Sequence, residues 1–260
     1  MAFTLITGAS GGIGAEIARL AAADGKDLAL VARSVDALEA LAAELRAKHG
    51  VAVATFPLDL SDPSSVGRLV AALEEKTIVV DALVNNAGVG KLGTFATMDP
   101  ATIDGMVALN VAAVTSLARA LLPGMVARKA GRILNVASTA AFQPGPLMAV
   151  YYATKAYVLN WSLALSDELR GSGVTVTCLC PGPTRTGFQR TAGMNGTALF
   201  KSAFIMTAAR AAEIGYRAML RGKPLVVAGR RNAFFAFCTR LIPRMVAGSI
   251  AKRLQAPHDA

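Results

Sequence analysis

Seven short apolar runs alternate with longer stretches of helical periodicity, and this alternation constrains the fold more than any other feature. Phe3–Thr7, Leu28–Ala32, Val51–Phe56, Ala82–Val84, Arg132–Val136, Val174–Leu179 and Leu225–Ala228 read as strands. Helices are expected near Ile13–Asp24, over Val35–His49, from Asp62 to about Glu75, over Pro100–Ala108 and Val111–Arg128, over Val150–Arg170 and near Ala208–Arg221. Strands without polar alternation are buried on both faces, as in parallel sheets. Parallel neighbours need crossover helices, and those crossovers are right-handed. The expected fold is α/β, a doubly wound parallel sheet in one domain over about residues 1–230. A basic segment, 231–260, follows it. Val111–Leu122 is apolar almost all round, so it is either buried within the domain or turned to another subunit.

A chain of 260 residues suits one such domain. Apolar residues make up 53% and charged residues 17%, which excludes disorder. The net charge of +10 is unevenly placed. Residues 1–200 hold 16 Lys/Arg and 15 Asp/Glu, whereas residues 201–260 hold 11 and 2. Cys178, Cys180 and Cys238 are an odd number and offer no disulfide framework. With only His49 and His258, no metal site is expected. The opening Met-Ala-Phe-Thr-Leu-Ile-Thr lacks the basic and long apolar regions of a secretory signal. No run of about 18 uninterrupted apolar residues occurs, so a spanning helix is not expected. The expected location is the cytoplasm, with peripheral membrane contact through the tail as an addition.

The turn Thr7-Gly8-Ala9-Ser10-Gly11-Gly12-Ile13-Gly14 joins the first strand to the first helix. Glycines allow close backbone approach, and amides at a helix N-terminus attract phosphate. Gly8, Ser10, Gly11, Gly12, Ile13 and Gly14 are therefore candidate cofactor residues, although the spacing differs from the common GxGxxG fingerprint. The second strand ends Val31-Ala32-Arg33-Ser34. An acid there would bind the ribose hydroxyls of NAD, whereas Arg33 would attract a 2′-phosphate, with Ser34 beside it as a further cofactor candidate. NADPH is favoured over NADH on this ground. Asp59 and Leu60, at the end of the third strand, are candidates for holding adenine.

Ser138, Tyr151 and Lys155 lie near the end of one strand and the start of the next long helix. Tyr151 and Lys155 are four apart and share a helical face. A phenol of pKa about 10 exchanges protons poorly at neutral pH, and a nearby ammonium lowers that value. With a serine hydroxyl opposite, the set suits proton delivery to a carbonyl receiving hydride. Together with Thr7–Gly14, the pair Asp59-Leu60, the run Asn85-Asn86-Ala87-Gly88, Asn110 and the segment Pro181-Gly182, Thr184, Thr186, these residues resemble the short-chain dehydrogenase/reductase family. The matches run in order from residue 4 to about 186.

The resemblance implies a Rossmann-like fold and a catalytic tetrad of Asn110, Ser138, Tyr151 and Lys155. It implies that Tyr151 is the acid in reduction and the base in oxidation. Lys155 would bind the nicotinamide ribose, Ser138 the carbonyl, and Asn110 a water of the proton relay. Asn86, Ala87 and Gly88 would border the cofactor. Pro181, Gly182, Thr184 and Thr186 would meet the nicotinamide carboxamide, with hydride leaving its pro-S face. Tyr152 reads as packing or substrate wall. The resemblance also suggests a homodimer or homotetramer through the helices near Val111–Arg128 and Val150–Arg170.

Two segments should border the carbonyl. One is Ala141–Met148; the other runs from Gly187-Phe188 through Met194, Leu199, Phe200, Phe204, Ile205 and Met206 as an adaptable apolar lid. A hydrophobic small-molecule carbonyl is the expected substrate, on an acyl chain in one version. The alternatives are an NAD(P)-dependent secondary-alcohol dehydrogenase and a non-catalytic nucleotide-binding regulatory or membrane-associated protein. In the tail, basic residues from Arg217 to Arg253 interleave with Phe234, Phe235, Phe237, Leu241, Ile242, Met245, Val246, Ile250 and Leu254. Pro243 should divide it into two amphipathic helices. A packed extension, a membrane surface and an anionic carrier are weighed for it in that order. Nucleic acid is not expected, because no binding motif is present. On this reading the tail stands outside the cofactor-binding body, and its removal from about residue 232 leaves cofactor binding intact.

Overall fold

The computed structural model describes residues 2–194, 197 and 205–255. Strands β1 (Ala2–Thr7), β2 (Asp27–Ala32), β3 (Val53–Pro57), β4 (Val79–Asn85), β5 (Gly131–Val136) and β6 (Val174–Pro181) belong to one sheet with β9 (Leu225–Ala228). A two-stranded sheet pairs β7 (Thr184–Arg185) with β8 (Met206–Thr207). The large sheet is ordered β3-β2-β1-β4-β5-β6-β9, with every neighbour parallel. The order reverses between β1 and β4, which opens a crevice at the carboxyl ends of those strands.

Both faces are covered by helices. Ile17 of α1 (Gly12–Ala23), Leu38 and Leu45 of α2 (Val35–His49) and Met219 of α8 (Ala208–Leu220) fill one side. Leu69 of α3 (Ser65–Glu75), with Leu117 and Met125 of α5 (Val114–Ala127), fills the other. The near-unbroken apolar strands follow from this double burial. β4 is longer than its expected core Ala82–Val84, because it starts at Val79 and continues past Asp81, which the pairing skips as the register with β1 shifts between Phe3 and Thr4.

Helix α4 (Pro100–Val107) runs through a π-helical turn, Ala108–Ala113, straight into α5. The two expected helices are thus one rod of 28 residues, Pro100–Ala127, apolar enough by length and composition to cross a membrane. Uninterrupted apolar runs do not register a rod of this length, because Asp104 and Asn110 break the run while the helix continues through them. Ala113, Val114, Leu117, Ala118 and Met125 are buried in the domain, which accounts for much of the apolarity. The other side is open: Val107 and Val126 are exposed, and Leu121 and Leu122 half-buried. The rod is therefore not buried all round.

Beyond β9 the chain forms α9 (Arg230–Cys238) and α10 (Arg244–Gln255). Pro243 stands between them, as its missing N–H requires. Ala247, Gly248, Ala251 and Gln255 make the buried stripe of α10. That stripe packs on the domain, with Gly248 against Pro144 and Gln255 against Tyr152.

Candidate active site

The crevice at the β1/β4 reversal is built on close backbone approach. The Asn86 side-chain amide donates to the carbonyls of Thr7 (2.9 Å) and Gly8 (3.1 Å). The Thr7 hydroxyl in turn accepts from the amides of Asn86 and Ala87, both at 3.0 Å. A Cβ at Gly8 would lie 2.8 Å from Asn86 Nδ2, and one at Gly14 2.4 Å from the Gly8 carbonyl oxygen. Gly12 needs its freedom differently, with φ +57° where the chain enters α1. Gly8, Ser10, Gly11, Gly12 and Ile13 border a continuous cleft of about 1890 Å³. Arg33, Asp59, Leu60, Asn86, Ala87, Gly88, Pro181, Gly182, Thr184 and Thr186 border it too.

Three expected site residues do not line that cleft. Gly14 is where α1 crosses the Gly8 turn, so its missing side chain serves packing rather than phosphate approach. Ser34 caps α2, its hydroxyl accepting from the Ala37 amide at 3.4 Å. Asn110 is fully buried in the π-helical turn. Its amide donates to the Val89 carbonyl (2.8 Å) and the Thr154 hydroxyl (3.0 Å), and its oxygen accepts from the Val89 amide (3.0 Å). The Asn110 side chain thus ties the segment after β4 to α6 (Ala149–Glu168), behind Gly88.

At the adenine end, Arg33 Nη1 lies 3.7 Å from Asp59 Oδ2, with both side chains well exposed. Burial pushes the Asp59 carboxyl up. The Ser61 amide and hydroxyl and the nearby Arg33 charge outweigh that and hold it below the usual carboxylate range.

At the other end, β5 delivers Ser138 and α6 delivers Tyr151 and Lys155. The Asn135 amide donates to Ser162 (2.9 Å) and its oxygen accepts from the Asn85 amide (2.9 Å), fixing α6 on β5 and β4. Ser138 caps a short turn, accepting from the Ala140 amide at 3.1 Å. Lys155 is buried and donates to the Val136 carbonyl at 2.9 Å, with Nζ 5.9 Å from the Tyr151 ring centroid. Burial pushes its pKa down to about 8. Burial pushes Tyr151 up to about 12, opposed by a hydrogen bond with Ser138. The expected lowering of the phenol by the ammonium is therefore absent here. Desolvation wins because the ammonium is directed at a backbone carbonyl rather than at the phenol oxygen.

The carbonyl side of the cleft is apolar. Met148, Met194 and Phe188 of the short helix α7 (Phe188–Thr191) surround Tyr151, and Phe188 packs on its ring at 5.3 Å. Ile205 and Met206 line the cleft as expected, while Leu199, Phe200 and Phe204 lie outside the described residues. The tail also lines it, through Asn232, Phe234, Phe235, Ile250, Leu254 and Gln255 among others. The tail is thus a packed extension, the first of the readings weighed for it, and it borders the cleft rather than standing apart from it. A Cβ at Gly182 would lie 2.4 Å from the Asn232 amide, so the tail touches the segment expected at the nicotinamide.

Tyr152 serves as wall and packing: Gln255 donates to its hydroxyl, and its ring lies edge-on to Tyr151 at 6.1 Å. Gly90, Asn232 and Gln255 were missed in the sequence. Gly90 alone carried a signal, in the run Gly88-Val89-Gly90; a Cβ there would lie 2.7 Å from Phe188 and 3.0 Å from Tyr151. Among the described residues no cluster of metal-ligating side chains occurs. Cys178 and Cys180 are buried and free on β6.

Residues 2–195 match the profile of the short chain dehydrogenase family. The chain belongs to this family of oxidoreductases. It is 38% identical over 178 residues to the ketoacyl reductase HetN of Nostoc sp., covering 68% of this chain and 62% of that protein. It is 37% identical over 186 residues to a very-long-chain 3-oxoacyl-CoA reductase of Phaeosphaeria nodorum, covering 68% of this chain and 53% of the relative. The chain thus spans only part of the length of these relatives. Among solved structures, a short-chain dehydrogenase from Sphingobium yanoikuyae in complex with NADPH matches with TM-score 0.83 at 33% identity, over 100% of both chains. The bulky-bulky ketone specific alcohol dehydrogenase of Comamonas testosteroni matches with TM-score 0.78 at 29% identity, over 93% and 92% of the two chains.

The crevice fits this family's nicotinamide dinucleotide. A Cβ at Gly11 would meet nothing within 4 Å, so the helix N-terminus is open on that side, where a pyrophosphate needs access to amides. The cleft runs from there to Tyr151 without interruption.

Proposed function

We propose that this short-chain dehydrogenase is an NADPH-dependent reductase of bulky, hydrophobic ketones, including oxoacyl chains. The observation that carries the reading is the single cleft of about 1890 Å³. It joins the dinucleotide crevice to a chamber walled by Met148, Phe188 and Met194 beside Tyr151, with the more exposed Phe234 and Ile250 at its rim. Apolar walls with few polar groups bind an apolar ligand and orient it through those groups. The names of the ketoacyl and bulky-ketone relatives point the same way. For the cofactor, the exposed Arg33 guanidinium at the border of the cleft would attract a 2′-phosphate, and the Sphingobium protein is in complex with NADPH.

When bound, the cofactor supplies hydride to the carbonyl carbon. Ser138 and Tyr151 hold the carbonyl oxygen from one side, and the Tyr151 O–H gives up its proton to that oxygen. A phenol pushed up to about 12 is protonated at neutral pH, so the site rests in the donor state for reduction. Lys155, 5.9 Å from the Tyr151 ring, would hold a nicotinamide ribose hydroxyl and lend positive charge as the phenolate forms. Asn110 positions α6 and the Val89 turn so that these groups converge. The Phe188 ring and the tail helices exclude water from the carbonyl. Self-association through the open apolar side of α5, with Tyr157 and Trp161 of α6, completes the reading.

The test is a panel of carbonyl compounds followed by NADPH oxidation, from small polar ketones to bulky aryl ketones and oxoacyl thioesters. Bulky apolar members should have the highest kcat/KM. Tyr151→Phe should lower it by about 10²–10⁴-fold with NADPH affinity retained. A preference for small polar ketones, or unaltered turnover in Tyr151→Phe, overturns the proposal.

A further inference from the structure

The outer surface of the tail has a composition that neither cofactor nor substrate explains. On and just beyond α9, Phe234, Phe237 and Leu241 follow helical spacing and are exposed. On α10, Val246, Ile250 and Leu254 recur every four residues, so they form one stripe beside the buried face. Ile250, Leu254 and Phe234 border the mouth of the cleft, while Leu241 and Met245 project away from it, 70% and 82% exposed. Residues 222–255 hold seven Lys/Arg and no Asp/Glu. Arg240 and Arg244 flank Leu241, and Lys252 and Arg253 sit next to Leu254.

We propose that this face docks on a membrane surface carrying anionic headgroups, with the mouth of the cleft at the interface. An apolar stripe bordered by cations is the pattern of helices that lie in a bilayer interface. The positive charge of Arg240, Arg244, Lys252 and Arg253 beside that stripe is attracted by anionic lipid. A second copy is disfavoured as the occupant, because it would bring Arg240, Arg244, Lys252 and Arg253 against their own counterparts. The docking surface stands apart from the reductase reading; only delivery of a ketone from the bilayer to the cleft rests on it.

The test is flotation of the full chain with vesicles of phosphatidylcholine alone and of phosphatidylcholine mixed with phosphatidylglycerol, at low and high salt. The protein should float with the anionic vesicles only, and salt should release it. Arg240→Gln with Arg244→Gln should lower the partition coefficient about fivefold per charge removed. Leu241→Glu with Met245→Glu should lower it at least as much. Both variants should keep NADPH binding and turnover of a water-soluble ketone, since none of the four residues lines the cleft. Equal flotation with neutral vesicles, no flotation, or variants that float like the parent overturns the proposal. So does a concentration-dependent dimer that Leu241→Glu abolishes, which would give the face to a second copy. Loss of turnover with normal flotation would count against the reductase reading alone.

Discussion

The contact between Tyr152 and Gln255 joins residues 103 apart in the chain and ties the tail to the helix that carries Tyr151. Its energetics can be worked out atom by atom. Both residues are buried, and burial pushes the Tyr152 phenol up to about 12, so it is neutral and able to accept from the Gln255 amide. Gln255 Oε1 is buried without a hydrogen-bond partner among the described residues. Leaving a buried polar group unpaired costs about 1–3 kcal/mol, whereas removing both partners together is nearly neutral. Tyr152→Phe strands the Gln255 amide beside an oxygen that is already unpaired, for a cost of about 2 kcal/mol. Gln255→Leu strands only the phenol and removes that oxygen, for a cost of about 1 kcal/mol. The double variant strands nothing and should lie close to the parent. At roughly 2–4 °C per kcal/mol for a chain of this size, the Tm losses are about 4–8 °C, about 2–4 °C and near zero. Thermal unfolding of the four proteins, at one protein concentration and one saturating NADPH concentration, measures them. The coupling should be about 3 kcal/mol. Because both side chains line the cleft, the single variants should also raise KM for a bulky ketone with little change in NADPH affinity. A double variant whose loss equals the sum of the singles would refute the clasp.

Three further outcomes follow from the site. Because Lys155 is pushed down to about 8 and Tyr151 up to about 12, reductive kcat/KM should be level below about pH 8. It should fall above that as the ammonium loses its proton, and a pH–rate profile with a non-titrating ketone shows whether it does. Arg33→Asp should lower the NADPH-to-NADH preference by about tenfold or more, the worth of a charge-assisted contact. An unchanged ratio removes Arg33 from the phosphate site. Gly14→Ala places a Cβ 2.4 Å from the Gly8 carbonyl oxygen and should cost about 1–3 kcal/mol. Gly11→Ala meets nothing within 4 Å and should melt like the parent, so equal losses in the two variants would contradict the packing role of Gly14.

The strands and most helices were legible because their signals are local. Period and apolar run length are properties of a few consecutive residues, and burial on both faces of the sheet leaves them unblurred. Ser138, Tyr151 and Lys155 were legible as a set because two of them share a helical face and the third closes the adjoining strand. Gly14 and Ser34 sat in the right segment, yet their work is packing and capping. Whether a glycine admits a ligand or another backbone depends on what lies opposite, and here Gly8 and Asn86 do. The shift of Tyr151 followed the same logic: the sequence placed an ammonium one turn away, but desolvation and the direction of Lys155 toward Val136 decided its sign.

What the sequence determined by itself was the sheet, the dinucleotide crevice and the chemistry of the groups around one carbonyl. Each rests on neighbours within a turn or a strand. The tertiary structure alone decided the role of the basic tail. Its helices were visible, and so was the break at Pro243. That they close over the cleft depends on Asn232 meeting Gly182, Gly248 meeting Pro144 and Gln255 meeting Tyr152. Those contacts join residues about 50 to 100 positions apart, at distances where periodicity carries no information and only the packed chain brings the partners together.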